Sequence, residues 1–385
     1  MNIDIADRLK QLPPYLFAKI DQMKREVESR GIKVLDFGVG DPDLPTPPFV
    51  VEALKEGLTK KDYHRYPSYS GCNELKYIIA KWFLERFSVH LNPLEEIIIL
   101  IGSKEGIAHL PLALINPGEK VLYTSPGYPV YRSATLFAGG IPISVPLTIE
   151  NHFLPKLSDI KANAKLFFFN YPNNPTTATA SLAYFEELVH WAKKQNVILC
   201  HDAAYSELYL DDTPSPSIFE VPGAKDMAIE FHSLSKTFNM TGWRIGFAVG
   251  NKKLIEALGK LKTNVDSGQF NAIQYAAGVA LEKGKETIQQ QQKHFRHRRN
   301  ILLDALKEAR LEAYASHASI YVWVKTPPGY LSIDFCAHLL NELGVVTTPG
   351  VGFGAEGEGF FRFSLTVPET EILEAKERFK KLNFL

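Results

Sequence analysis

Six short apolar runs, separated by stretches with helical spacing, dominate the middle of the chain. They are Glu96–Ile101, Lys120–Tyr123, Lys165–Asn170, Asn196–Cys200, Ala228–His232 and Ile245–Gly250. Runs this short and this apolar suit strands buried on both faces. Helical stretches between them, such as Ser181–Gln195, suit crossover helices. The alternation predicts an α/β fold, with a mostly parallel sheet covered by helices. Open sheets of that kind bind ligands beyond the carboxyl ends of their strands. The residues directly after each run are therefore the first place to look for chemistry.

The C-terminal part has a different texture. A long helix pattern runs from Lys285 to about Ala309 and includes the glutamine run Gln289–Gln292. Strands are expected at Ala318–Val324 and Phe360–Leu365, and a last helix from Glu369. This predicts a second, smaller α+β domain. Residues 1–47 are expected to pack with it, because Asp41-Pro-Asp-Leu-Pro-Thr-Pro-Pro crosses over without regular structure. The division expected is 48–284 for a large, cofactor-binding domain and 1–47 with 285–385 for the small one. The most basic stretch, His294–Arg299, is expected to form one solvated face of the long helix.

Charge narrows the function. Lys+Arg and Asp+Glu both number 43, so no global positive field exists to hold DNA or RNA. With 45% hydrophobic and 22% charged residues the chain is not disordered. Cys72, Cys200 and Cys336 form no Cys-x-x-Cys pair, which excludes a disulfide framework and a zinc knuckle. No apolar run approaches the roughly 20 residues that cross a bilayer. Met1–Lys10 has no signal-peptide core. A cytoplasmic protein with no membrane and no nucleic-acid partner is expected.

Six motifs could carry chemistry. Phe231-His-Ser-Leu-Ser-Lys236 ends an apolar run in two serines and a lysine. Lys236 there could form a Schiff base with a carbonyl cofactor, while Ser233, Ser235 and the following Arg244 offer donors to a phosphate. A surface lysine on a polar loop is the plain alternative. Asp202 follows the run ending in Cys200-His201. It could face a protonated ring nitrogen, or simply cap the next helix. His201 beside it invites a metal, but no further ligand stands at metal spacing and none is expected. Asn170-Tyr-Pro-Asn-Asn174-Pro makes a stiff loop that could aim Asn174 at the ligand edge, or an ordinary turn. Gly102-Ser103-Lys104 opens a helix after a strand, where free N–H groups favour phosphate. Ser125-Pro-Gly-Tyr128 offers a ring for stacking, or a half-buried core tyrosine. Arg362, in Phe360-Phe-Arg-Phe-Ser364, shares a strand face with Ser364 and needs either a bound anion or a structural salt bridge.

The order of these motifs along the chain is more specific than any one of them. Gly-Ser-Lys, Tyr-Pro, Asn-Asn-Pro, Asp-x-x-Tyr, Ser-x-Ser-Lys, Arg and a late Arg resemble the class I and II aminotransferases, from about Asp36 onward. The resemblance implies fold type I, pyridoxal 5'-phosphate as cofactor, and amino-acid and 2-oxo-acid substrates. It implies that Lys236 holds the cofactor and moves the proton at the substrate Cα. Asp202 is implied to pair with the pyridine nitrogen, Asn174 and Tyr205 to bond the phenolic oxygen, and Tyr128 to stack on the ring. Ser103, Lys104, Ser233, Ser235 and Arg244 would surround the phosphate. Arg362 would clamp the substrate α-carboxylate, helped by Gly40, with Tyr128 and Asn174 also lining the substrate. Tyr66, in Tyr66-Pro-x-x-x-Gly71, matches a tyrosine that reaches a neighbouring subunit's phosphate, which implies a homodimer with shared active sites. Thr177 stands where the family usually has glycine.

Within the family, Leu12-Pro-Pro-Tyr15-Leu-Phe-Ala-Lys-Ile20, the Phe231–Gly246 stretch and Leu261–Phe270 are similar to the LL-diaminopimelate aminotransferases of lysine biosynthesis. That similarity adds Tyr15 and the Lys104 side chain as substrate contacts. Aspartate and alanine aminotransferases share much of the pattern and remain the alternative, although Leu261–Phe270 lacks the arginine often found near there in aspartate enzymes. A β-lyase or decarboxylase would use the same cofactor site. A transcription regulator with an aminotransferase-like sensor would need a DNA-binding domain that the roughly 35 residues before Asp36 do not supply.

Overall fold

The computed structural model describes residues 3–12, 16–161, 163–314 and 316–382, and for residues 16–21 the backbone alone. Its strands are β1 (Leu35–Asp36), β2 (Ile97–Leu100), β3 (Lys120–Ser125), β4 (Ile141–Pro146), β5 (Leu166–Asn170) and β6 (Ile198–Asp202). They continue with β7 (Ala228–Ser233), β8 (Gly246–Gly250), β9 (Tyr321–Lys325), β10 (Val345–Val346), β11 (Thr348–Pro349) and β12 (Phe360–Ser364).

Seven strands make the large sheet, in the order β2-β8-β7-β6-β5-β3-β4. All neighbours are parallel except β8, which runs antiparallel to both β2 and β7. Only a four-residue helix and a short turn separate β7 from β8, so no crossover helix returns the chain to the starting edge. The run Leu166–Asn170 shows why these strands are apolar throughout. Phe167 and Phe169 enter the core on one face of the sheet, while Phe168 enters the core on the other. Each fully buried phenylalanine contributes about 1.5–3 kcal/mol. The edge strand β4 escaped the apolar pattern. Its Ile141 is exposed, and Pro142 and Pro146 are tolerated because an edge strand has spare N–H positions.

The C-terminal core is separate. β11, β12 and β9 form an antiparallel sheet packed under the helices Lys285–Glu308, Ser332–Leu343 and Glu369–Phe379. Phe361 and Phe363 of β12 enter this core, which leaves Arg362 and Ser364 on the other face. Before Pro48 the chain joins the same region. β1 pairs in parallel with β10, and Ser364 N donates to the Phe37 carbonyl at 2.8 Å. Tyr205, Leu208 and Leu210, from the turn after β6, also pack here.

The basic stretch of the long helix is not a solvated face. Phe295 and Arg298 are buried, and Arg296 and Arg299 bond to the Leu210 carbonyl and to Asp211. At 3.6 residues per turn, positions 295, 298, 302 and 306 fall on one inward stripe, and the charge count concealed it. Among the described residues, no helix is long and apolar enough to cross a membrane.

Candidate active site

Strand direction gathers the site. The carboxyl ends of β2, β3, β5, β6 and β7 lie along one edge of the large sheet, leading into Gly102-Ser103, Ser125, Asn170, Asp202 and Ser233. Because β8 is antiparallel it starts at that edge, and so Arg244, two residues before it, arrives there as well.

Ser103 opens the helix Ser103–Leu114 after Gly102, whose φ of +79° suits glycine. A Cβ on Gly102 would lie 2.6 Å from Arg244 Nη2, so the guanidinium sits against this turn. A Cβ on Gly246 would lie 2.8 Å from the Ser103 nitrogen. Two glycines therefore clear room around a helix N-terminus and an arginine, which together favour a phosphate. Ser233 caps the four-residue helix carrying Ser235 and Lys236, accepting from Ser235 N at 3.3 Å. Lys104 is exposed, as the second residue of its helix.

Lys236 is mostly shielded, and its Nζ donates to the Gly40 carbonyl at 2.6 Å. Burial pulls its ammonium below the ordinary lysine range, and Arg362 and Arg244 push the same way against Tyr321 and Asp41. The surface-lysine alternative is thereby set aside.

Asp202 is 5% exposed. Oδ2 accepts from Tyr131 Oη at 2.8 Å and Oδ1 from Ala204 N at 3.3 Å. Among the described residues no lysine or arginine pairs with it, and burial raises its pKa despite those bonds. No helix follows Asp202 directly, so it is not a helix cap. His201 is fully engaged elsewhere, with Nδ1 2.8 Å from Glu230 and Nε2 2.9 Å from the Tyr171 carbonyl.

Arg362 is 4% exposed. Nη1 donates to Asn174 Oδ1 at 2.7 Å and Nη2 to the Gly38 carbonyl at 2.8 Å. Its guanidinium carbon stands 4.0 Å from the Tyr321 ring centre and 4.7 Å from that of Phe353. Nε has no partner, and no carboxylate pairs with the group among the described residues. The structural salt bridge is therefore absent there. Asn174 N donates to Asn170 Oδ1 at 2.7 Å, and Asn170 Nδ2 to the Asp202 carbonyl at 2.6 Å. The asparagine loop thus connects the buried acid to the buried base. Thr177, at the family's glycine position, has a φ of +65°, in the left-handed region that disfavours β-branched residues.

Tyr205 Oη lies 3.0 Å from Tyr321 Oη, and burial raises the Tyr205 pKa well above the usual phenol value. Tyr128 is half-buried and meets the Tyr131 ring edge-on, at 5.8 Å. Tyr66 is 92% exposed on this chain and stands away from the site's bonds. Tyr15 lies outside the described residues. Sequence reasoning missed Tyr131, Tyr321 and Phe353. Tyr131 stands in the first turn of the helix that follows the Tyr128 loop, but like Tyr321 and Phe353 it looks like an ordinary core residue. The acidic group Glu105, His109 and Asp266 already contains a cation, since Lys262 Nζ lies 3.2 Å from Glu105 and 2.9 Å from Asp266.

Among the described residues, the site therefore holds a buried carboxylate lacking a cation, a buried guanidinium lacking an anion, a shielded lysine near two arginines, and a cleared helix N-terminus. That set fits a phosphorylated pyridine cofactor together with a substrate carboxylate.

The family model "Aminotransferase class I and II" matches residues 32–379. An LL-diaminopimelate aminotransferase of Aquifex aeolicus (strain VF5) is 54% identical over 383 residues, covering 98% of this chain and 99% of that protein. One from Syntrophobacter fumaroxidans (strain DSM 10017 / MPOB) is 51% identical over the same shares. Among solved structures, apo-BacF from Bacillus subtilis is similar at a TM-score of 0.95 and 36% identity, covering 100% of this chain and 99% of that one.

Proposed function

The chain belongs to the class I and II aminotransferases, which depend on pyridoxal phosphate, and from that membership we propose that it transfers the amino group of LL-2,6-diaminopimelate to 2-oxoglutarate. The products are tetrahydrodipicolinate and glutamate, a step of lysine biosynthesis. One observation carries the chemistry: Asp202 and Arg362, opposite charges buried without ionic partners, are joined through Asn170 and Asn174 in a single site. The full-length likeness to LL-diaminopimelate aminotransferases supports the choice of substrate.

Pyridoxal phosphate, when bound, supplies a carbonyl carbon for the amine and a ring that withdraws electrons from the substrate Cα. The chain's own residues do the rest. Asp202 keeps a proton on the pyridine nitrogen and gains the cation its burial requires. Tyr131 holds the carboxylate in place through its hydroxyl. The Ser103 N–H, Ser233, Ser235 and Arg244 grip the phosphate, with the Lys104 backbone in the same turn. Asn174 and Tyr205 would bond the ring's phenolic oxygen, and Tyr128 would stack on the ring. Lys236 would hold the cofactor, and its free amine would move the proton at the substrate Cα. A lowered pKa keeps more of that amine neutral, as a base must be. Arg362 forks onto the α-carboxylate, with Gly40 close by. Tyr15 and the Lys104 side chain take part at the substrate side.

In this reading residues 48–284 form the large domain, and 1–47 with 285–385 the small one. The protein acts in the cytoplasm as a homodimer with shared sites. Tyr66, 92% exposed, is free to reach a neighbouring subunit as this arrangement requires.

A distal ammonium and carboxylate demand polar partners that aspartate and alanine would leave unmatched. The expected kcat/KM for LL-diaminopimelate exceeds those for aspartate and alanine by at least about tenfold, or roughly 1.4 kcal/mol. Steady-state rates on the three donors with 2-oxoglutarate test this. Equal or faster use of aspartate or alanine rejects the substrate.

A further inference from the structure

One arginine of the basic stretch turns inward. Arg298, 3% exposed, forks onto Asp43, with Nη1 to Oδ1 at 2.7 Å and Nη2 to Oδ2 at 2.8 Å. Nη1 also donates to the Leu365 carbonyl at 3.0 Å, one residue beyond β12. Burial pushes the Asp43 carboxyl up, but Arg298 outweighs it and holds the group below the usual aspartate range.

Asp43 lies just beyond the glycine segment Gly38–Gly40, whose carbonyls all receive site or sheet donors. Gly38 accepts from Arg362 Nη2 at 2.8 Å and from Thr348 Oγ1 at 2.9 Å. The Val39 carbonyl accepts from Thr366 Oγ1 at 2.9 Å, and that of Gly40 from Lys236 Nζ at 2.6 Å. Gly40 passes so close to Tyr321 that a Cβ would fall 2.0 Å from its hydroxyl. Beyond Phe37, whose N–H and carbonyl still bond to Val346 and Ser364, no strand ladder fixes the height of this segment over the sheet. Its position depends on point contacts: Asp36, paired with Lys24, accepts from Gly38 N at 3.0 Å at one end, and Arg298 forks onto Asp43 at the other.

We propose that Arg298 is a positioning residue for substrate. By tying Asp43 to Leu365 it sets the spacing between the glycine segment and β12, and so the angle at which Arg362 presents its fork. The proposal rests on Arg362 binding the substrate α-carboxylate. Misplacing a binding group by about 1 Å costs up to about a hundredfold. Cofactor binding should be spared, because Asp202, Ser103, Ser233 and Arg244 stand at the strand ends of the large sheet and not on the segment that Arg298 holds.

The test uses Arg298→Met, Arg298→Lys and Asp43→Asn in the full chain. Two quantities are read: KM and kcat for several amino donors and 2-oxo acids, and pyridoxal phosphate affinity of the apoenzyme by absorbance titration. Arg298→Met is expected to raise KM about tenfold for every substrate, with kcat changed less than about threefold and cofactor affinity within about twofold. Arg298→Lys, which reaches one carboxylate oxygen but cannot fork, should recover part of the loss. Asp43→Asn should show the same selective rise, smaller in size, and carries the test if Arg298→Met does not fold. Unaltered KM in the folded variants overturns the proposal. So does cofactor affinity falling in step with KM, which would mark general loosening. A wild-type enzyme that transaminates no amino acid overturns the parent reading and this one with it.

Discussion

Glu230 and Asp202 lie on neighbouring central strands, both buried, and differ in what surrounds them. Glu230 is 0% exposed and saturated by the protein. His201 Nδ1 lies 2.8 Å and His232 Nε2 2.7 Å from its oxygens, Ser217 Oγ donates at 2.9 Å, and Ile218 N at 3.0 Å. Burial alone would raise its pKa, but the two histidines hold it far below the carboxylate range. Asp202 has one phenol and one backbone N–H, and its pKa moves up. Two buried arginines of the C-terminal region divide in the same way. Arg298 is forked onto Asp43, while Arg362 has only neutral acceptors. Burial of charge is thus common to both regions and does not mark function. What sets Asp202 and Arg362 apart is that, among the described residues, each lacks a counter-charge and both stand in the candidate site.

Three experiments can break or sharpen that contrast. The largest effect is expected at Arg362. Removing a buried charge that meets a charged ligand costs about 2–5 kcal/mol, so Arg362→Leu should lower kcat/KM by up to some thousandfold for all amino-acid and oxo-acid substrates. Arg362→Lys should recover only part, lacking the fork. Loss confined to one dicarboxylic substrate would show that Arg362 reads the distal end instead.

The second experiment pairs the two carboxylates. Asp202→Asn should cut kcat by about ten- to a hundredfold, the worth of a charge-assisted bond of about 1.5–3 kcal/mol, with apoprotein stability unchanged or higher. Glu230→Gln should instead destabilise the fold by about 3–5 kcal/mol, because its two histidines lose their anion. Urea unfolding and steady-state kinetics on both variants decide. A kcat loss in Glu230→Gln with full stability would reverse the assignment.

The smallest effect concerns pH. The raised pKa of Asp202 means that its ionised form costs stability above the unfolded aspartate value of about 3.9, so Asp202→Asn apoprotein should be the more stable at pH 7. That gap should close as pH falls towards about 4, with about 1.4 kcal/mol at stake per pKa unit. Glu230 behaves oppositely. Its depressed pKa contributes stability that is complete above the unfolded glutamate value of about 4.3 and is lost as pH falls through the folded value. Unfolding free energies between pH 4 and 7 should therefore show the Asp202→Asn advantage shrinking on acidification. A gap independent of pH would contradict it.

The sequence by itself determined six of the seven strands of the large sheet and their ligand edge. Apolar runs buried on both faces are local signals, and Asp202, Ser233 and Ser103 each follow one directly. It also determined the family, through the order of its motifs. Distance hides the rest. The antiparallel return of β8, which delivers Arg244, depends on how the chain turns after Lys236, and no periodicity reports that. Tyr131 and Tyr321 read as core aromatics because their hydroxyl partners, Asp202 and Tyr205, are remote in sequence. The basic stretch read as solvated because residue type shows charge and not direction; Arg298 turns inward only because Asp43 lies opposite. Whether a buried charge is matched depends mostly on pairs remote in sequence, such as Glu230 with His201 or Arg298 with Asp43, although His232 stands only two residues from Glu230. Only the tertiary structure brings such pairs within hydrogen-bond range, and it alone decided which buried charges the protein satisfies and which it leaves open for ligands.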